Sequence, residues 1–189
     1  MSTFNLGSKV MVSDPCYEVG TWCQKTLDGV LPGEYDSHVI IDNFGSWGKR
    51  VSQLIAHHKN HRLIDLKWED VDATIGVDSG QAGIFNFETY RKDDIDIHNV
   101  PKAFGDDWDK EDGEVWYNRI CSLTLNEDGW GAYQNGVVSS SGFGDGSYTL
   151  QVAKLDETIV GFKIIFIDDW DDDEEDDDDE WDDDEWDDD

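Results

Sequence analysis

Residues 147–167 read SYTLQVAKL-DE-TIVGFKIIFI. Ser147 to Leu155 and Thr158 to Ile167 are two apolar runs rich in β-branched residues, split only by Asp156 and Glu157. That pattern predicts two antiparallel strands joined by a tight acidic turn. The same reading extends backwards. Gly142-Phe-Gly-Asp-Gly146 is a glycine-rich turn, Ala132 to Ser140 reads as a strand, and Asn126-Glu-Asp-Gly129 is turn chemistry. Trp116 to Leu125 also reads as a strand. The C-terminal third is therefore expected to be an antiparallel meander.

The N-terminal half continues the pattern. Lys9 to Ser13 is a short strand that stops at Asp14-Pro15, because a residue before proline is pushed to extended geometry. Glu34 to Asp42 and Arg50 to His58 flank the turn Asn43 to Gly48 and read as a hairpin. A helix competes for the second arm, since Val51, Leu54, Ile55 and His58 also fit one helical face. Ala73 to Val77 and Gly83 to Phe87 are strands on either side of Asp78-Ser-Gly-Gln81. Thr21 to Leu31 leaves room for a helical turn. Lys92 to Gly113 is a long polar connection with a helical turn expected around Trp108. Short strands and glycine turns argue for an all-β fold with at most a minor helix, an antiparallel sandwich or barrel-like meander.

Charge divides the chain. Residues 168–189 hold nineteen carboxylates and three tryptophans, Trp170, Trp181 and Trp186, and nothing else. The net charge is −31, so the remaining 1–167 carry 26 acids against 14 bases. The expected organisation is one β-rich domain over 1–167 and a disordered acidic tail over 168–189. The tail lacks aliphatic residues to bury, and its charge opposes compaction. Blocks of like charge act as interaction tails. The indoles add apolar anchors, which suits docking on a basic protein surface such as the nucleic-acid face of a DNA-binding protein. Direct contact with nucleic acid is not expected, because phosphate binding needs clustered Lys and Arg. No apolar run approaches the roughly 18 residues of a membrane span. Met1 to Lys9 has no basic and apolar regions of a secretory signal. Cys16, Cys23 and Cys121 lack metal-pair spacing and are expected as reduced thiols in a cytoplasm.

Three polar motifs fall at strand ends: Ser13-Asp-Pro-Cys-Tyr17, Asp78-Ser-Gly-Gln81 and Gly144-Asp-Gly-Ser-Tyr148. Each alone is good turn chemistry. If they converge at one rim, Asp14, Cys16, Tyr17, Asp78, Ser79, Gln81, Asp145, Ser147 and Tyr148 would line a pocket for a small polar ligand or a divalent cation. A cysteine nucleophile, Cys16 or Cys23 with His38, His57 or His58, has no support from spacing. On a helix, His57 and His61 would share a face at i and i+4 and could bind zinc, while on a strand they would both point opposite to His58; exposed histidines at a loop edge are the expectation. Gly144-Asp-Gly146 lacks the lysine and helix of a phosphate loop. Of six tryptophans in the body, Trp22, Trp47, Trp68, Trp108, Trp116 and Trp130, most are expected in the core, with Trp47 and Trp108 the first candidates for exposure.

The ordered set Ser13-Asp-Pro-Cys-Tyr17, Val77-Asp-Ser-Gly-Gln-Ala-Gly83, Trp116-Tyr117 and Gly142-Phe-Gly-Asp-Gly-Ser-Tyr148 resembles a family of uncharacterised bacterial and bacteriophage proteins. That family is catalogued only as a domain of unknown function. The resemblance spans nearly all of residues 8–167 and implies a bacterial or phage protein in the cytoplasm, the host's if phage-encoded. It implies no activity and no cofactor, and it does not reach the tail. The leading expectation is a non-enzymatic binding protein whose tail docks to basic proteins and inhibits them. The alternative is binding or hydrolysis of a nucleotide-like molecule at the polar rim.

Overall fold

A computed structural model describes residues 1–108 and 111–168. Eleven strands are present among them: β1 (Ser2–Leu6), β2 (Lys9–Ser13), β3 (Lys25–Asp28), β4 (Gly33–Asn43), β5 (Lys49–His58), β6 (Trp68–Val77), β7 (Gln81–Asn86), β8 (Trp130–Tyr133), β9 (Gly136–Ser140), β10 (Gly146–Leu155) and β11 (Thr158–Ile165). One α-helix, α1 (Glu114–Ser122), lies between β7 and β8. The strands form a six-stranded sheet, β1-β4-β5-β11-β10-β6, and a five-stranded sheet, β3-β2-β7-β9-β8. All named pairings are antiparallel. This is the all-β fold read from the sequence, in its sandwich form.

The alternation of side chains along each strand creates two cores. Val10 and Val12 of β2, Ile84 of β7 and Val137 of β9 point at the six-stranded sheet. There they meet Tyr35, Leu54, Leu150, Phe162 and Ile164. Met11, Phe85 and Val138 point the other way and pack with Tyr90, Ile97, Val100, Trp116 and Ile120. The five-stranded sheet is thus buried on both faces, with α1 and the long 87–123 connection as a third layer. Burial of a large apolar side chain is worth roughly 1.5–3 kcal/mol, so the two clusters supply the main stabilisation of the fold.

The β10–β11 hairpin follows the expected register, with Leu155 opposite Thr158 and Thr149 opposite Ile165. β4 and β5 form the expected hairpin, from Tyr35 opposite His58 to Asn43 opposite Lys49. The helical rival arose because β5 is buried on both faces. Leu54 and Ala56 enter the main core, while Ile55 and His57 are also buried. The turn at 43–48 contains a short 3-10 segment, Gly45–Trp47. Thr21 to Leu31 contains the strand β3, and a 3-10 turn, Asp106–Trp108, sits where a helical turn was expected.

Two segments differ from the sequence reading. Trp116 to Leu125 is not a strand; Glu114–Ser122 is helical. Trp116, Asn118 and Ile120 alternate as a strand would, but Trp116, Ile120 and the partly buried Leu123 also repeat at helical spacing. Asp93 decides the outcome from a distant position. Its carboxylate accepts from the N–H groups of Gly113 at 2.9 Å and Trp116 at 2.8 Å, satisfying donors at the helix start. Ala132 to Ser140 is not one strand but part of the hairpin β8–β9, turning at Gln134-Asn135 with Tyr133 opposite Gly136. A two-residue connection is among the commonest hairpin links. The N-terminal segment adds a further strand: β1 pairs along β4, Phe4 opposite Tyr35.

Candidate functional site: three turns braced by one buried carboxylate

The three polar motifs come together at the ends of β2, β6 and β10. Asp14 is at the centre and is fully buried. Its Oδ1 accepts from the Cys16 N–H at 2.8 Å and the Ser79 hydroxyl at 2.7 Å. Its Oδ2 accepts from the N–H groups of Asp78 at 2.9 Å and Ser79 at 2.7 Å. Four donors replace the water lost on burial, which is the condition for keeping a carboxylate inside. Asp145 extends the brace: its Oδ1 accepts from the Gly80 N–H at 3.0 Å. Tyr148 closes the third turn by donating to the carbonyls of Ser141 and Gly144, with its ring edge-on to Phe166.

The 14–24 loop is held as firmly. The Gln24 carboxamide accepts from Gly20 and Thr21 N–H groups and donates to Ser13 Oγ at 2.9 Å. Tyr90 donates to the Tyr17 carbonyl at 2.7 Å. Arg91 donates to the carbonyls of Pro15 and Cys16. Gly76 lets the loop close on β6: its N–H bonds the Cys23 carbonyl at 3.0 Å, and a Cβ on Gly76 would stand 2.7 Å from Cys23 Cβ.

This bracing sorts the nine candidate residues. Tyr17, Asp78, Asp145 and Ser147 line one cleft of about 420 Å³, together with Thr21, Trp22 and Cys23. Ser79 and Gln81 line a second, of about 350 Å³, with Tyr117, Cys121 and Thr124. The 78–81 turn is the wall between them. Asp14 lies beneath that turn and lines neither cleft; it positions the residues that do. Cys16 stands beside it, half-buried, and Tyr148 faces its own loop.

The two clefts differ in charge. The first carries the exposed carboxylates Asp78 and Asp145 beside Trp22, which is 88 % exposed. The Tyr17 hydroxyl is pushed well above its ordinary value, first by loss of water and then by hydrogen bonding with Asp78 and Cys23. The second cleft is lined without a carboxylate. Gln81 donates to Cys121 Sγ at 3.4 Å and accepts from the Thr124 hydroxyl at 2.8 Å. Burial, then hydrogen bonding and repulsion from Asp14, drive the Cys16 thiol far above the usual thiol range. Burial also raises Cys121. Both stay protonated at neutral pH, unlike a thiolate nucleophile. No histidine lines either cleft.

His57 and His58 are consecutive on β5 and so face opposite sides of the sheet, which removes the helical His57–His61 face. The His57 ring lies near His38, and the His58 ring near His61. Among the described residues, no group of three or more His, Cys, Asp or Glu is placed to hold a metal ion. Trp47 and Trp108 are exposed as expected, and Trp116 is core. Trp22, which the sequence does not single out, is the most exposed large apolar side chain among the described residues. The segment around it carries no strong periodicity, and Gly20, at φ +98°, turns the chain outward just before it. Gln24, Tyr90 and Arg91 escape a sequence reading as well, since their partners lie up to 77 residues away. Trp170, Trp181 and Trp186 lie outside the described residues.

No helix among the described residues is long and apolar enough to cross a membrane. Compared with protein-family models, curated proteins and solved structures, the chain finds no match.

Proposed function

We propose that this is a non-enzymatic binding protein for basic protein surfaces, acting through the first cleft and the acidic-aromatic tail together. The observation that carries this reading is Trp22, 88 % exposed at the mouth of a cleft bearing Asp78 and Asp145. An exposed indole beside carboxylates is the chemistry of the tail repeated on a rigid support. It suits a lysine or arginine side chain, which gains from the ring face and from the negative charge. The bracing of the 14–24, 78–81 and 144–148 turns holds that arrangement ready, which lowers the ordering cost of binding. Inhibition of a nucleic-acid-binding protein would follow if the tail occupies the partner's phosphate-binding surface. The resemblance and the three free cysteines support a bacterial or phage-infected cytoplasm as its setting.

The test is calorimetric titration of the full chain with an arginine-rich polypeptide at low and high salt. Affinity should fall steeply as salt rises from about 50 to about 300 mM. Trp22→Ala should weaken binding several-fold at fixed salt, and the triple change of Trp170, Trp181 and Trp186 to Ala should weaken it further. If all four indoles can be lost with no change in affinity, the chain acts as a bare polyanion and the reading fails.

The second cleft supports a separate reading. Its uncharged lining of Gln81, Tyr117, Thr124 and Ser79 fits a small neutral polar ligand, and its volume of about 350 Å³ is within the small-molecule range. A thermal-shift screen of neutral nucleosides and amides tests it, because a ligand that binds only the folded state raises the unfolding temperature.

A further inference from the structure

The described chain ends beside a cluster of aromatic rings that lies outside both cores. Phe44 and Trp47 belong to the β4–β5 connection, and Phe143 to the loop before β10. The Phe143 ring stands 5.4 Å from that of Phe44 and 5.9 Å from that of Trp47, both edge-on. Trp47 is 59 % exposed and Phe143 46 %. Aromatic rings gathered from two loops, with Trp47 and Phe143 about half in water and Phe44 partly buried beside them, are a feature of contact surfaces.

The path of the chain points to what covers them. β11 runs antiparallel to β5, with Gly161 opposite His57 and Ile165 opposite Gln53. Each further residue therefore moves one step back along β5, toward Lys49 and the loop bearing Trp47. Past the end of β11 this direction persists, since the Ser52 carbonyl accepts from the N–H groups of Phe166 and Ile167. Ile167 is also against the second loop: a Cβ on Gly142, the neighbour of Phe143, would stand 2.9 Å from Ile167 Cγ1. Trp170 follows three residues later, a span of at most about 11 Å. Charge agrees as well. Lys49 and Arg50 stand at this end of the hairpin against the single carboxylate of Asp42 opposite Arg50, and aspartates flank Trp170 on both sides.

We propose that Phe44, Trp47 and Phe143 form the seat for Trp170 of the same chain. A tether this short gives an effective concentration of about millimolar or more, so an intrinsic affinity of about millimolar is enough to populate the contact. Edge-to-face ring pairing adds to the gain from buried apolar area. Trp181 and Trp186 follow eleven and sixteen residues further on, so neither shares this three-residue tether. The acidic segment is then a leash fixed at its root, with two outer indoles left for a partner. Occupation of the seat is independent of that partner's identity.

The experiment is NMR of the full chain, following the indole N–H signals and the amides of 44–48 and 142–144. Trp170→Ala should shift the Trp47 indole signal and the amides of both loops. Conversely, Trp47→Phe should shift the Trp170 indole signal. Trp181→Ala with Trp186→Ala should leave the loops unchanged. The shifts should be independent of protein concentration. The proposal is overturned if Trp170→Ala leaves the loop signals in place. It is also overturned if loss of the two outer indoles shifts those signals equally, or if dilution alone reproduces the change, which would mean a second copy occupies the seat.

Discussion

Asp14 illustrates how a single side chain can organise a surface it never reaches. Its four bonds tie the ends of β2 and β6 into one unit, and through the 78–81 turn they set the wall between the two clefts. Replacing it with asparagine keeps the shape but turns one acceptor into a donor facing N–H groups. About two bonds are lost and buried donors are left unpaired, at about 1–3 kcal/mol for each such group. Asp14→Asn is therefore expected to destabilise the chain by about 2–4 kcal/mol, read as a lower urea midpoint with an unchanged slope. The reverse outcome, normal stability, would mean the turns hold themselves. The residue was legible in the sequence as part of a turn motif. Its role was not, because three of the four donors are more than sixty positions away.

At the scale of elements, α1 depends on a residue outside itself. Gly113 sits at φ +85° before the first helical residue and has no side chain to cap with. Asp93 supplies the carboxylate instead. Asp93→Ala should cost about 1–2 kcal/mol, the usual effect of removing an N-terminal cap. Hydrogen exchange should show the loss concentrated in Glu114–Ser122, with β10 and β11 unaffected. Uniform loss across the sheets would argue that Asp93 acts on the whole fold. The helix at 114–122 and the hairpin within 130–140 escape a local reading for related causes. In 116–125 an alternating pattern and a helical one coincide, and packing on Phe85 and Val138 selects the helix. In 132–140 the turn pair Gln134-Asn135 is short enough to vanish within a longer apolar run.

For the whole molecule, charge is the largest influence that no single contact displays. A body with 26 acids against 14 bases is joined to nineteen more carboxylates. Self-repulsion of this kind opposes the compact state and is relieved by salt. The urea midpoint of the full chain should therefore rise with added sodium chloride. A chain ending at Trp170 keeps the proposed anchor and sheds most of the acidic segment. Its stability at low salt should equal or exceed that of the full chain, and its salt dependence should be shallower. A marked loss of stability would show that residues beyond Trp170 pack on the body.

The sequence by itself determined the fold class, the β4–β5 and β10–β11 hairpins and the three turn motifs. Alternation and turn chemistry are local properties, so they can be read within a short stretch of chain. The acidic segment and its charge were equally plain. Only the tertiary structure decided that 114–122 is a helix, that Trp22 faces outward and that the turn motifs share one buried carboxylate. It also divided the rim into two clefts. These outcomes depend on donors, acceptors and packing faces that lie far apart in the chain, more than sixty residues in the case of Asp14 and the 78–81 turn. That information resides in the pairing of the sheets rather than in any one stretch of chain.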